Sequence, residues 1–141
     1  MSNICVVGAG YVGLVTAACF TEMGHQVRCL DIDQKKVRLL EHNHLPFYEP
    51  GLDELLSRYR GSCRLDFTTD YSWGIRESEF VFLAVNTPTA YNGKPDLRNL
   101  FQAARDIGQH LNGHTVIVIK STVPVGSTAR VAEVIRQAKK G

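Results

Sequence analysis

Gly8-Ala9-Gly10-Tyr11-Val12-Gly13 is the stretch that decides the fold of this 141-residue chain. The apolar run Ile4-Cys5-Val6-Val7 precedes it, and a second apolar run, 27–30, is followed at once by Asp31, 18 residues beyond Gly13. A strand, a glycine-rich turn, a helix, a second strand and an acid in this order are typical of a βαβ unit that binds a dinucleotide. The opening of the sequence therefore predicts a dinucleotide site.

The three glycines of this turn have separate expected roles. Gly8 permits the tight turn out of the strand, Gly10 lets the backbone approach a pyrophosphate, and Gly13 lets the helix pack closely against the sheet. The amides at the start of the helix, together with the positive end of its dipole, would then face the phosphates. The alternative is a glycine turn that only closes a βα unit.

The carboxylate of Asp31 is the candidate ribose ligand. At the end of the second predicted strand it can accept hydrogen bonds from the adenosine ribose hydroxyls, and its charge would repel a 2′-phosphate. The sequence therefore predicts NAD rather than NADP. The alternative is that Asp31 caps the following helix, although Asp33 could take that role instead. Lys36 lies near the start of the same helix, and its residue type alone indicates only a solvated lysine.

Short apolar runs alternate with helical segments along the whole chain. We predict strands at 4–7, 27–30, 63–67, 80–85 and 116–119, and helices at about 11–23, 33–42, 52–59, 70–76, 96–111 and 127–139. This alternation predicts an α/β fold, a Rossmann-like doubly wound parallel sheet with helices on both faces. No linker or repeat divides the sequence, so residues 1–141 are expected to form one domain.

Two polar segments follow later strands of the predicted sheet. Asn86-Thr87-Pro88-Thr89 follows the fourth strand, and Lys120-Ser121-Thr122-Val123-Pro124 follows the fifth. In open parallel sheets, ligands lie beyond the carboxyl ends of the strands. Turn-forming polar residues are common at strand ends for structural reasons alone, so each segment by itself is ambiguous. Two of them at the same sheet edge as the glycine turn favour a cofactor surface.

The composition is that of an average globular protein, with 44% hydrophobic and 21% charged residues and a net charge of +2. So small a charge predicts no nucleic-acid or polybasic membrane surface. The sequence contains no apolar run of the roughly 18 residues of a membrane span, and no signal peptide is apparent. We therefore expect a cytoplasmic protein without nucleic-acid or membrane partners.

The four cysteines, Cys5, Cys19, Cys29 and Cys63, show no CxxC spacing. Cys5 and Cys29 fall in apolar strand runs and Cys19 falls in an apolar helix. Buried free thiols are therefore expected rather than disulfides or metal ligands. None of the four is flanked like an activated nucleophile, and no metal site is predicted.

Five segments, taken together and in order, carry a resemblance to a known family. They are Gly8-Ala9-Gly10-Tyr11-Val12-Gly13-Leu14, Asp31-Ile32-Asp33 with Lys36-Val37, Leu45-Pro46-Phe47-Tyr48-Glu49-Pro50-Gly51-Leu52, Val85-Asn86-Thr87-Pro88-Thr89 and Lys120-Ser121-Thr122-Val123-Pro124-Val125-Gly126. Over essentially its whole length the chain resembles the N-terminal NAD-binding domain of the UDP-glucose/GDP-mannose dehydrogenase family. The Asn-Thr-Pro-Thr segment and the Gly-Lys-Pro-Asp-Leu stretch after it are more similar to the UDP-glucose branch.

The resemblance implies oxidation of the C6 alcohol of a nucleotide sugar to a carboxylate with two NAD+, here UDP-glucose to UDP-glucuronate. It places the pyrophosphate on the glycine turn, the adenosine ribose on Asp31 and Lys36, and the nicotinamide near Ser121 and Thr122. The Thr122 hydroxyl would help to hold a catalytic water. The implied cofactor-binding residues are Gly8, Ala9, Gly10, Tyr11, Val12, Gly13, Asp31, Lys36, Val85, Asn86, Thr87, Pro88, Thr89, Ser121 and Thr122.

In the family, the nucleophilic cysteine and the sugar-binding residues come from a later domain, which would lie beyond Gly141. The resemblance therefore implies a homo-oligomeric enzyme as the whole protein, and a 141-residue chain that binds NAD without turnover. Two alternatives stay open. One is an NAD-dependent dehydrogenase of another family, such as a 3-hydroxyacid type, against which the segments 45–52 and 120–126 argue. The other is an NAD-binding regulatory module with no chemistry.

Overall fold

The β-sheet sets the position of the candidate residues, because its parallel strands end at one common edge. The computed structural model describes residues 1–59 and 61–140. Its strands are β1 (Asn3–Val7), β2 (Gln26–Leu30), β3 (Leu65–Thr68), β4 (Phe80–Leu83) and β5 (Val116–Ile119), in the spatial order β3-β2-β1-β4-β5. These strands all pair in parallel, which confirms the predicted doubly wound α/β sheet.

β1 lies at the centre of the sheet, where the strand order reverses. Val7 pairs with Leu30 of β2 on one side and with Leu83 of β4 on the other, so the carboxyl ends of three strands meet. In open α/β sheets a ligand crevice forms at this reversal, outside the carboxyl ends of the strands. The register therefore places the segments that follow β1, β2 and β4 side by side.

Helices cover both faces of the sheet because β1 is apolar on both. Ile4 and Val6 belong to one core, which is closed by α1 (Tyr11–Glu22), α2 (Gln34–Glu41) and α3 (Leu52–Tyr59). Cys5 and Val7 belong to the other, which is closed by α4 (Tyr71–Ile75), α5 (Arg98–His110) and α6 (Ser127–Lys140). A strand buried on both faces has a continuous apolar sequence, and this is the pattern that runs through β1.

Two leucines anchor the helices that border the site. Leu14 of α1 is fully buried in the first core, and Leu100 of α5 is fully buried in the second. Complete burial of a leucine side chain stabilises the folded state by about 1.5–3 kcal/mol. These contacts hold the start of α1 and the start of α5 against opposite faces of the sheet.

β3 and α5 begin two residues later than predicted, each for a local backbone reason. β3 begins at Leu65 rather than at 63, because Cys63 has a φ of 57° and lies outside the extended region. α5 begins at Arg98 rather than at 96. The Asp96 carboxylate accepts hydrogen bonds from the Arg98 amide at 3.0 Å and from its guanidinium, which places Asp96 ahead of the helix.

β4 ends at Leu83, two residues earlier than predicted. The amides of Lys120 and Ser121 both donate to the Leu83 carbonyl, at 2.8 and 3.0 Å, and they close the ladder with β5 there. Val85 therefore lies in the loop after β4, at the edge of the sheet, rather than inside the strand.

The cysteines divide into two buried and two exposed thiols. Cys5 and Cys29 are buried in the central strands, as predicted. Burial raises the pKa of Cys5 to about 12 and also raises that of Cys29. The prediction that Cys19 is buried is wrong, because α1 is apolar around much of its circumference and Cys19 lies on an exposed face. Cys63 is likewise exposed, in the turn before β3.

Candidate functional site

The glycine turn between β1 and α1 is packed so closely that two of its positions exclude a side chain. Gly8 has a φ of 106°, and a Cβ there would lie 2.6 Å from the carbonyl oxygen of Ala84. A Cβ on Gly13 would lie 1.6 Å from the carbonyl oxygen of Gly8. These contacts match the tight turn and the close helix packing expected from the sequence.

The start of α1 presents backbone amides that no side chain caps. Gly10 is the N-cap residue without a side-chain hydrogen bond, and the first turn contains no acid. The helical hydrogen bonds begin with the amide of Leu14, which donates to the Gly10 carbonyl at 2.9 Å. The earlier amides of a helix have no partner within it and carry partial positive charge, so an anion is stabilised there.

Gly10 is the position in the turn where packing within the chain does not require a glycine. Among the described residues, a Cβ added there would meet only Asn86 Oδ1, at 3.5 Å, which is an ordinary contact. Its φ of −82° is one that any residue adopts. The space beside Gly10 therefore allows a ligand to approach the backbone closely, and together with the uncapped amides it fits a phosphate group.

Asp31 is a buried carboxylate with three hydrogen-bond donors around it. Its Oδ2 accepts from the Ala9 amide at 2.8 Å and from Lys36 Nζ at 2.9 Å, and its Oδ1 accepts from the Asp33 amide at 2.9 Å. The acid that follows β2 is thus joined directly to the glycine turn that follows β1. A carboxylate offers about four lone-pair positions, so Asp31 can accept from a further donor.

Asp33, rather than Asp31, caps α2. Its Oδ1 accepts from the amides of Lys35 and Lys36 at 3.0 and 3.2 Å. The capping role was the alternative interpretation of Asp31, and Asp33 fills it. Asp31 lines the cleft instead.

A cleft of about 280 Å³ opens at the carboxyl ends of β1, β2 and β4. Pockets for small molecules generally measure about 300–1,000 Å³, so the volume of this cleft lies just below that range. The predicted site residues that line it are Gly8, Gly10, Asp31, Lys36, Val85 and Asn86. The structure therefore brings the glycine turn, the acid after β2 and the loop after β4 together at one place.

α5 supplies cleft residues that the sequence analysis did not identify. Asn99, Gln102 and Asp106 line the cleft, and Gln102 Nε2 donates to Asp106 Oδ1 at 3.0 Å. Their spacing of three and four residues puts them on one face of the helix. This helical spacing is the sequence feature that could have indicated a cleft-lining face. Polar residues repeated at helical intervals more often mark a solvated face, however.

Tyr71 borders the cleft from the start of α4 and was also missed. Its ring lies 6.1 Å from the ring of His110, with 25° between their planes. Burial raises the pKa of the Tyr71 phenol, and the negative charges of Asp106 and Asp31 add to this effect. The phenol therefore stays neutral near pH 7 and remains available as a hydrogen-bond donor.

The loops that follow β4 and β5 are bonded to each other. Ser121 Oγ donates to the Val85 carbonyl at 2.7 Å, and Thr87 Oγ1 donates to the Thr122 carbonyl at 2.9 Å. Both hydroxyls therefore hold the two loops together, and the residue Thr122 is exposed. The predicted site residues that do not line the cleft are Ala9, Tyr11, Val12, Gly13, Thr87, Pro88, Thr89, Ser121 and Thr122.

Tyr11 fixes the segment 45–52 over the start of α1. Its ring stacks on that of Phe47 with the centroids 4.0 Å apart, and its hydroxyl donates to the Tyr48 carbonyl at 3.4 Å. Two of the segments that carried the family resemblance are thus in direct contact, beside the uncapped amides.

Neither a metal-binding group of side chains nor a membrane-spanning helix is found among residues 1–59 and 61–140. Within these ranges no three His, Cys, Asp or Glu side chains are grouped so as to hold a metal ion. Over the same residues no helix is long and apolar enough to cross a membrane.

Comparisons with known proteins agree in sequence and in structure. The model described as "UDP-glucose/GDP-mannose dehydrogenase family, NAD binding domain" matches residues 2–141. UDP-glucose 6-dehydrogenase TuaD from Bacillus subtilis is 47% identical over 141 residues, which are 100% of this chain and 31% of that protein.

Two solved structures share the fold over nearly the whole chain. A UDP-glucose dehydrogenase from the archaeon Pyrobaculum islandicum matches with a TM-score of 0.94 and 36% identity, covering 100% of this chain and 34% of its own. GDP-mannose dehydrogenase from Pseudomonas aeruginosa, solved as a ternary complex, matches with a TM-score of 0.91 and 33% identity, covering 98% and 33%. The chain spans about a third of the length of these relatives. It belongs to the UDP-glucose/GDP-mannose dehydrogenase family, where it corresponds to the NAD-binding domain.

Proposed function

We propose that the glycine turn and the cleft bind NAD+, with the pyrophosphate on the amides at the start of α1 and the adenosine ribose on Asp31 and Lys36. The observation that carries this proposal is the 2.8 Å hydrogen bond from the Ala9 amide to Asp31 Oδ2. It holds the turn with the uncapped amides beside a carboxylate that can accept hydrogen bonds from hydroxyl groups. The uncapped first turn of α1 and the space beside Gly10 support the pyrophosphate position.

The loops after β4 and β5 complete the proposed site. Val85 and Asn86 line the cleft, and the residues we assign to the rest of the cofactor are Thr87, Pro88, Thr89, Ser121 and Thr122. The hydrogen bonds between these two loops support the assignment, because they give the cofactor a rigid surface. When bound, NAD+ accepts a hydride from the substrate. In the proposal, the hydroxyl of the exposed residue Thr122 helps to hold a water for the chemistry.

We further propose that the whole protein is a nucleotide-sugar 6-dehydrogenase, which oxidises UDP-glucose to UDP-glucuronate and uses two NAD+ per turnover. The 47% identity to an enzyme named UDP-glucose 6-dehydrogenase supports UDP-glucose as the substrate. The later domain with the nucleophilic cysteine, the homo-oligomeric state and the cytoplasmic location stay predictions.

The family match favours this function over a dehydrogenase of the 3-hydroxyacid type, because it extends along residues 2–141. An NAD-binding module without chemistry differs from the proposed enzyme in what the gene encodes after Gly141. A substrate domain that contains a cysteine supports the enzyme, and its absence supports the regulatory module.

Two experiments test the proposal in separate parts. Calorimetric titration of the chain with NAD+ is expected to show saturable binding at one site, and a folded chain that gives no heat with NAD+ would contradict the cofactor assignment. For the whole protein, UDP-glucose is expected to yield two NADH for each UDP-glucuronate formed. Faster oxidation of GDP-mannose in the parallel assay would contradict the substrate assignment.

A further inference from the structure

Lys36 forms an ion pair with Asp31, the carboxylate that is proposed to select the cofactor. Its ammonium nitrogen lies 2.9 Å from Asp31 Oδ2, the same oxygen that accepts from the Ala9 amide. The side chain of Lys36 is 26% exposed and that of Asp31 is 10% exposed. Such an ion pair is screened less by solvent and salt than one on an open surface.

Both members of this pair are within reach of the 2′ position of a ribose that hydrogen-bonds to Asp31. Two hydrogen bonds of ordinary length place their outer atoms within about 6 Å of each other when they share one carboxylate oxygen, and within about 8 Å when they use both oxygens. A 2′-phosphate would therefore lie against the Asp31 carboxylate and also close to the Lys36 ammonium. Such a phosphate carries a charge of about −1.5 to −2 at neutral pH. The carboxylate repels it, and the ammonium would attract it.

We infer that Lys36 is a latent ligand for the 2′-phosphate of NADP+, and that its ion pair with Asp31 keeps it from that role. This inference rests on the proposed NAD+ site. Among the described residues that line the cleft, Lys36 is the single Lys or Arg. Asp31 therefore disfavours NADP+ in two ways, since it repels the phosphate and also occupies the cation that could neutralise it. Selectivity for NAD+ is a property of the pair rather than of the carboxylate alone.

Asp31→Asn, alone and combined with Lys36→Met, separates the repulsion by Asp31 from the contribution of Lys36. The substitution keeps the size of the side chain and one oxygen that can accept from the Ala9 amide, but it removes the charge that repels the phosphate and holds Lys36. NADP+ affinity is expected to rise by about tenfold or more, the size of effect that a charge-assisted hydrogen bond supplies. Adding Lys36→Met to Asp31→Asn is expected to cancel the gain.

Lys35→Met is the matched control. Lys35 carries the same charge on the same helix, but it is exposed and does not line the cleft. Adding Lys35→Met to Asp31→Asn is expected to leave most of the gain in NADP+ affinity in place. The comparison separates a direct contact with the phosphate from a change in net charge.

The test is calorimetric titration of the wild type, Asp31→Asn and the two double variants with NAD+ and NADP+, with thermal unfolding of each to show that it is folded. A gain that Lys36→Met cancels and Lys35→Met preserves is the expected result. No gain in folded Asp31→Asn, or a gain that survives Lys36→Met, overturns the inference and leaves NAD+ binding by the wild type intact. Failure of the wild type to bind NAD+ overturns the proposed function as well.

Lys36→Met by itself provides the second test if Asp31→Asn does not fold. It keeps Asp31 and its bonds to the amides of Ala9 and Asp33. With 2′,5′-ADP and 5′-ADP as probes, Lys36→Met is expected to weaken binding of 2′,5′-ADP by several-fold more than binding of 5′-ADP, because the Asp31 carboxylate without its ion-pair partner repels the 2′-phosphate more strongly. The inference is overturned if both ligands lose affinity equally, or if Lys35→Met produces the same difference.

Discussion

The backbone amide of Ala9 donates a hydrogen bond to Asp31 Oδ2 at 2.8 Å, and this bond joins the turn after β1 to the acid after β2. Asp31 is buried, so water does not readily replace the bond when it is lost. A change at Asp31 is therefore expected to act both on the shape of the glycine turn and on the proposed ribose contact.

Asp31→Ala is expected to weaken NAD+ binding by about 1–2 kcal/mol, because a charge-assisted hydrogen bond to the ribose is lost. It is also expected to lower the free energy of unfolding by about 1–3 kcal/mol, since the buried amide of Ala9 loses its acceptor. Calorimetry and urea unfolding measure the two effects. Asp53→Ala, at an exposed position in the first turn of α3, is the control, which should leave NAD+ affinity unchanged and lower the free energy of unfolding by about 1 kcal/mol or less. Unchanged NAD+ affinity in Asp31→Ala would remove this residue from the site.

Gly13→Ala and Gly10→Ala form a pair that separates folding from binding. A Cβ on Gly13 would lie 1.6 Å from the Gly8 carbonyl oxygen, so Gly13→Ala is expected to destabilise the protein by about 3 kcal/mol or more. Gly10→Ala meets only an ordinary contact among the described residues and is expected to cost about 1 kcal/mol or less.

The order of the two variants is expected to reverse when the NAD+ affinity of folded protein is measured, with the larger loss in Gly10→Ala. Gly10→Ala places a methyl group where the backbone is proposed to approach the pyrophosphate, so NAD+ affinity is expected to fall by about tenfold or more. Urea unfolding and NAD+ titration of both variants provide the measurements. The assignment of the phosphate site fails if folded Gly10→Ala binds NAD+ as well as the wild type does.

The parts of the site that could be read from the sequence are those whose geometry is local. Gly8 and Gly13 belong to the same glycine turn, and their spacing in the sequence already predicts the close packing that the structure contains. Asp31 directly follows a strand that was identified from its apolar run. The parallel pairing of β1 with β2 then brings it to the glycine turn.

The parts that were missed depend on how distant elements pack. Asn99, Gln102 and Asp106 belong to a helix far along the chain, and only the packing of α5 against β1 and β4 makes one of its polar faces line the cleft. Cys19 was misjudged for a related reason. The apolar residues of α1 do not form a single stripe, so periodicity did not indicate which face of the helix contacts the sheet.

Cys5 gives the protein an alkaline sensitivity that can be measured. Burial raises its pKa from the ordinary 9.0 to about 12, so the unfolded state loses the thiol proton first as pH rises. The stabilisation is complete below about pH 9 and is lost progressively toward about pH 12, at about 1 kcal/mol between pH 9 and pH 10. Urea unfolding of Cys5→Ala should show a shallower alkaline decline than the wild type. Cys63→Ala, at an exposed site, is the control, and an identical decline in Cys5→Ala would contradict the account.

The 141-residue chain is expected to bind NAD+ but to form no NADH from UDP-glucose. Both oxidations need the sugar held beside the nicotinamide, a role that the proposal gives to residues of the later domain, and the second oxidation also needs a covalent intermediate on an accessible cysteine. Cys5 and Cys29 are buried with raised pKa values, and Cys19 and Cys63 do not line the cleft. Absorbance of NADH in a sample shown by calorimetry to bind NAD+ is the measurement. Sustained production of NADH by this chain would contradict the expectation.

The central claim is that backbone amides at the start of α1 hold the pyrophosphate of NAD+ while Asp31 holds the ribose. Titration of isotope-labelled protein with NAD+, followed by amide NMR, tests it residue by residue. The account predicts saturable shifts that are largest at Ala9, Gly10, Tyr11 and Gly13, with smaller changes at Asp31 and Lys36. Saturation of the protein with NAD+ while the amides of the glycine turn stay unshifted would contradict it.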